Sequence, residues 1–198
     1  DLAHFLPEQN CKSFIITSGG ELLKFINKGK VKTFKLPVHS KNPILILLNA
    51  VIISLIILFY NINIVHARSR APAWSCLIAT KLTTRKFVTT FHGTYNFSNQ
   101  FKKFYNSVMV RSHLVIAGSN FIFSHINDNY GNFFLDRKRK LLVIFRGINT
   151  NYFNSQKISL SKVEKFSKKN GIDRNKFIIL LPGRLTFWKG QKIFIEAL

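Results

Sequence analysis

The sequence predicts an α/β fold, a parallel sheet covered by helices on both faces. Short β-branched runs alternate with longer helical stretches along all 198 residues, the pattern of successive strand–helix–strand units. Hydrophobic residues make up 46% of the chain, enough to fill a core and to exclude wholesale disorder. The residues just past each strand-like run are glycine, hydroxyl, histidine and arginine rather than carboxylates. In a parallel sheet those positions form the ligand crevice.

The elements follow in order. Ser13–Thr17 (SFIIT) reads as a strand, followed by Ser18-Gly19-Gly20 and a helix over 21–28, with Gly29 placed to end it. Residues 31–36 form the next strand. A loop with Pro37 and Pro43 leads to a very apolar helix over 44–60. Residues 62–66 are a strand, 72–82 a helix opened by Pro72, and 86–90 a strand. A helix over 99–110, a strand at Leu114–Ala117, a helix over 120–129 and a strand at 141–145 follow. Beyond them 161–170 is helical, 177–181 is a strand, and Gln191 opens a last helix. The crevice-forming segments are therefore Ser18-Gly19-Gly20, Ala67-Arg68-Ser69-Arg70, Phe91-His92-Gly93-Thr94, Gly118-Ser119-Asn120, Arg146-Gly147 and Pro182-Gly183-Arg184. They suit a polar or anionic ligand.

The 44–60 segment has only Asn49 and Ser54 as polar residues. A bilayer span wants about 20 apolar residues, so the expectation is a buried core helix, ahead of an interfacial helix or a span. The formal charge is +22, which favours anionic partners. Ile, Phe, Asn and Lys share AT-rich codons and are all abundant here, so a biased genome explains part of that charge. Cys11 and Cys76 lie in no CxxC or Cys/His cluster and read as small core residues. The chain begins at Asp1 and stops inside an apolar-periodic run, which reads as an internal piece of a longer protein.

Several chemistries find no support. There is no P-loop, GxGxxG, DxD, HExxH or GxSxG motif. The eight carboxylates are scattered, which argues against a two-carboxylate hydrolase, and so are the six histidines, which argues against a metal cluster. What remains is Pro182-Gly183-Arg184-Leu185-Thr186-Phe187-Trp188-Lys189-Gly190 between a strand-like run and a helix. Gly183 permits an unusual turn there. Arg184 and Lys189 can face one diphosphate near a helix start, or they are plain solvated loop cations; spacing alone leaves both open.

This stretch resembles the donor-phosphate motif of the retaining GT-B glycosyltransferases of family 4. Other segments resemble the same family in the same order: Leu36-Pro37 with His39-Ser40-Lys41-Asn42-Pro43, His66 to Trp74, Thr90-Phe91-His92-Gly93, Ala117-Gly118-Ser119-Asn120 and Phe145-Arg146-Gly147-Ile148-Asn149. The resemblance implies two Rossmann-like domains facing across a cleft. Residues 1–155 would be the N-terminal acceptor domain, without its first strand, and 156–198 the start of the nucleotide-sugar domain. It implies that Arg184, Lys189 and Gly183 bind the donor diphosphate and that His92 is catalytic. Gly19, Gly20, Arg68, Arg70, Gly93, Ser119 and Arg146 would line the acceptor side of the cleft. Ser119 also reads as a helix cap and Trp74 as a core residue.

By the same resemblance the donor is a UDP-, GDP- or ADP-sugar and the acceptor an envelope glycan, such as a lipopolysaccharide precursor, or a lipid-linked species. No metal or other cofactor is expected, and no nucleic acid. The setting would be the cytoplasm, with peripheral contact to the inner face of an anionic membrane. The family's paired glutamates are absent from the 198 residues, so this piece alone is expected to be inactive. The rival readings are a basic non-catalytic protein that binds membrane or nucleic acid, an inactive GT-B scaffold, and a sugar-phosphate or sucrose-type synthase of the same fold.

Overall fold

The computed structural model describes residues 1–95, 99–135 and 138–198. They form two compact units, Asp1–Arg146 and Gly147–Leu198.

The first unit carries two all-parallel sheets. Strands β1 (Ser13–Thr17) and β2 (Val31–Lys35) pair in one, with Ser13 opposite Val31. The other has β3 (Ile64–Ala67), β4 (Lys86–Phe91), β5 (Leu114–Ala117) and β6 (Lys140–Val143) side by side in chain order. Helices α2 (Pro43–Phe59), α3 (Arg70–Leu82), α4 (Gln100–Asn106) and α5 (Asn120–Tyr130) connect the strands; α1 (Leu2–Glu8) precedes them. Parallel neighbours require such crossovers, so every strand of the second sheet ends on the same side. That common edge positions the candidate site.

Local chemistry sets the helix starts. Asn42, Asn99 and Ser119 each accept a hydrogen bond from a backbone N–H of the following first turn. The core lies between the four-stranded sheet and its helices. It joins Ile53 and Ile57 of α2, Ala73 and Leu77 of α3, Phe87 and Phe91 of β4, Val115 of β5 and Ile126 of α5. Along β4 the buried residues alternate, with Phe87, Thr89 and Phe91 all inside. Thr89 is the polar member, and its hydroxyl donates to the Met109 carbonyl and lies 2.8 Å from Ser112 Oγ. Truncating Phe87 to Ala is expected to cost about 3–5 kcal/mol of stability. Urea unfolding monitored by circular dichroism reads that loss.

The structure corrects several expectations. The predicted helix over 21–28 is only a short 3-10 turn, Glu21–Phe25. The Asn27 side chain accepts from the Gly29 N–H, an alternative bond that competes with the helix, and Gly29 keeps a negative φ. Residues 177–181 form no strand; no described segment pairs with them, and a strand without a ladder is not stable in water. Cys11 is exposed, whereas Cys76 is buried and its thiol is pushed up to about 12 by desolvation. Helix α2 is only half a core helix. Asn49, Ala50, Ile53, Ser54 and Ile57 are buried, while its other face stays exposed. No helix among the described residues is long and apolar enough to cross a membrane.

The second unit holds α6 (Leu160–Lys169) and α7 (Gln191–Glu196), joined by extended and turn segments.

Candidate functional site

Three loops at the carboxyl edge of the four-stranded sheet meet at one imidazole. His92 follows β4 directly. Arg68 follows β3, and its Nε lies 3.2 Å from His92 Nε2. Arg146 lies beyond β6, with Nη2 2.9 Å from His92 Nδ1 and 3.1 Å from the His92 carbonyl, to which it donates. The β5 loop passes beneath at Gly118. A Cβ there would sit 3.6 Å from the Phe91 carbonyl oxygen and 3.7 Å from Arg146 Nε, in ordinary van der Waals contact with both.

This arrangement holds His92 neutral. Its pKa is pushed below the ordinary histidine value by burial and by the Arg68 and Arg146 guanidiniums. His66, on β3, is shifted the same way by burial, Arg68 and His92, and its Nε2 lies 2.8 Å from Thr90 Oγ1. A neutral imidazole has one N–H and one lone pair. Both nitrogens of His92 face a guanidinium, which can only donate, so one of the two contacts is not a hydrogen bond. Two cations converge on a ring that satisfies one of them. That leaves positive density at the sheet edge available to an anion or a sugar hydroxyl.

Arg70 belongs to a neighbouring cluster. It donates to Asn106 Oδ1 at 2.7 Å and lies over the Tyr95 ring, 4.4 Å from the centroid. Together with Lys41, Thr94, Lys102 and Tyr105 they line an open hollow of about 550 Å³. Arg70 lies in one of the crevice segments of the sequence, whereas Tyr95 and Asn106 lie outside them. Tyr95 stands two residues past Gly93 in a crevice loop, so its position was a usable signal; Asn106, at the end of α4, offered none.

The remaining candidates divide. Gly19 and Gly20, at the end of β1, have φ of 116° and 125°, which side chains rarely adopt, and they take no part in the His92 cluster. Gly93 has open space around it and a negative φ. Ser119 caps α5 through its bond from Ile122 N–H. Trp74 is half-buried, donates its indole N–H to the Tyr105 carbonyl and packs on Phe104.

In the second unit Arg184 and Lys189 both lie over the Trp188 ring, 5.9 and 4.4 Å from its centroid. The unusual turn falls at Gly190, with φ 75°, and not at Gly183. At Gly183 an added Cβ would come 3.3 Å from Gln191 Nε2, the end of a flexible side chain that donates to the Arg184 carbonyl and would have to shift by a few tenths of an ångström. Among the described residues no cluster of His, Cys, Asp and Glu could hold a metal ion.

The profile of Glycosyltransferase Family 4 matches residues 1–152. Among solved structures, a glycosyltransferase from Rickettsia africae is similar over 99% of this chain, at 44% identity and a TM-score of 0.82. Anabaena HepE in complex with UDP-glucose is similar over 99% at 19% identity, with a TM-score of 0.75. The same protein with UDP matches over 99% at 20% and 0.70. The chain spans 51% of the Rickettsia protein and 51 to 52% of these two HepE chains. No curated protein matches the sequence.

Proposed function

Since the chain belongs to Glycosyltransferase Family 4 and has an α/β GT-B fold with parallel sheets, we propose that it serves a retaining transferase. That enzyme moves a sugar from a nucleotide-sugar to an envelope glycan, such as a lipopolysaccharide precursor, or to a lipid-linked acceptor. The observation that carries this reading is the neutral His92 held between Arg68 and Arg146 at the carboxyl edge of the sheet. The neutral ring adds no third positive charge, and the guanidinium that its lone pair does not satisfy is free to donate to a sugar hydroxyl.

In this reading residues 1–155 hold the acceptor and 156–198 begin the nucleotide-sugar domain. His92 touches the transferred sugar or the attacking hydroxyl. Arg68, Arg70, Arg146, Gly93, Ser119, Gly19 and Gly20 shape the acceptor side. Arg184 and Lys189 bind the diphosphate, and Gly183 leaves room for it. The bond from the anomeric carbon to the diphosphate oxygen breaks, and its electron pair leaves on that oxygen. The acceptor oxygen bonds to the anomeric carbon on the face the diphosphate leaves and passes its proton to the departing diphosphate oxygen. Both cations stabilise the charge that develops on the leaving diphosphate, and no metal or other cofactor is needed.

The donor is a UDP-, GDP- or ADP-sugar. UDP heads that choice because the HepE structures hold UDP-glucose and UDP. The enzyme works in the cytoplasm at the inner face of an anionic membrane, and nucleic acid is not a partner. The test is acceptor-dependent release of nucleoside diphosphate by that enzyme, rather than by residues 1–198 alone, from each nucleotide-sugar in the presence of EDTA. No release from any donor with any envelope extract would defeat the reading.

A further inference from the structure

We propose that the outer face of α2 lies flat on an anionic lipid surface. The helix is turned out in an unusual way. Its only polar side chains both point inward: Asn49 donates to the Pro37 carbonyl at 3.1 Å and Ser54 to the Ala50 carbonyl at 2.8 Å. The outward residues are Ile44, Leu47, Leu48, Val51, Leu55 and Leu58, followed by Phe59. Their spacing of three and four places them on one stripe. All are at least half exposed, and Phe59 reaches 81%. Seventeen residues make this stripe about 25 Å long. A continuous aliphatic face of that size in water marks an interaction surface rather than ordinary scatter.

Charge selects the occupant. Lys41 stands just before the helix. At its other end Lys32 lies over the Tyr60 ring at 4.4 Å, and Arg85 donates to Asn61 Oδ1. Between Glu21 and Asp128 the sequence has no carboxylate at all. An apolar stripe bracketed by cations, with no anion in the surrounding sequence, matches a bilayer interface. Acyl chains take the aliphatic face and anionic headgroups take the lysines and arginine. A second copy of the same face would bring like charges together. The helix is too short to span, so it lies on the surface.

This deepens the membrane setting proposed above and rests on that reading for which membrane is met. Flotation of the purified protein with vesicles tests it. Vesicles of phosphatidylglycerol and phosphatidylcholine are expected to carry the protein, pure phosphatidylcholine far less, and high salt is expected to weaken the binding. The double variant Val51→Gln/Leu55→Gln is expected to lower the bound fraction about tenfold or more with an unchanged melting temperature. Leu47→Gln/Leu58→Gln repeats the experiment on other exposed positions, in case the first pair folds poorly. Absence of vesicle binding, or equal binding by both double variants, would overturn the proposal. So would a dimer that these variants dissociate without any lipid affinity, since a second copy would then cover the face. Turnover of a soluble acceptor without vesicles reads the transferase function separately.

Discussion

In the transferase that the chain serves, replacing Arg184 by Ala is expected to lower kcat/KM for the nucleotide-sugar by about 10²–10³-fold, and Lys189→Ala to do the same. The size follows from where charge appears. In the ground state the diphosphate is already anionic, but breaking the anomeric bond places a further charge on the bridging oxygen. A cation fixed near that oxygen interacts more strongly with the transition state than with the substrate, so kcat falls as well as affinity. Stability is expected to hold. Both side chains reach out over an exposed Trp188 ring, and among the described residues neither makes an ion pair that its removal would leave stranded. Arg184→Lys keeps the charge and loses the planar fork, so partial rescue separates charge from bidentate geometry. Steady-state kinetics with a saturating acceptor reads all three variants. Activity within twofold of the parent for both alanine variants would remove these residues from the donor site.

His92→Ala carries the second large effect, about a hundredfold loss in kcat. The pH profile makes this more than a packing test. Burial, Arg68 and Arg146 all depress the His92 pKa, so the ring stays neutral in the folded protein through neutral pH. Acidification through the ordinary histidine value protonates the unfolded chain first, which lowers stability as pH falls. At a still lower pH His92 itself charges between two guanidiniums, and activity falls with it. The parent enzyme should therefore show an acid limb whose midpoint lies below 6.5, the reference value for histidine. His92→Ala should lose that limb along with most of its rate. If the limb persists unchanged in the variant, another group titrates and His92 only positions the loop.

Much of the four-stranded sheet was legible in the sequence, because its runs are short, apolar and bounded by strong punctuation. Leu114–Ala117 is such a run, and Ser119 after it carries the side chain that a helix start requires. The helix over 21–28 failed for a local reason: Asn27 offers its own carbonyl to the backbone. The strand at 177–181 failed for a non-local one, since a β-branched run becomes a strand only beside a partner. Burial of α2 was misjudged because composition cannot say which face meets a neighbour. The motif order pointed to Arg68, His92 and Arg146 as crevice residues. Their convergence was not legible: Arg68 lies 24 and Arg146 54 positions from His92 in sequence, and only the parallel topology brings them together. Gly183 permits an unusual turn in the phosphate-loop candidate, but the residue that takes the left-handed conformation is Gly190 at the other end of the segment.

The most direct measurement is proton NMR of the reaction of the purified transferase that the chain serves with a UDP-sugar and an envelope-glycan acceptor in EDTA. The coupling constant of the new anomeric proton reports its configuration. The expected spectrum shows UDP released in step with a glycoside of the same anomeric configuration as the donor. A product of inverted configuration would contradict retention, and an unchanged donor signal with every nucleotide-sugar would contradict the transferase itself.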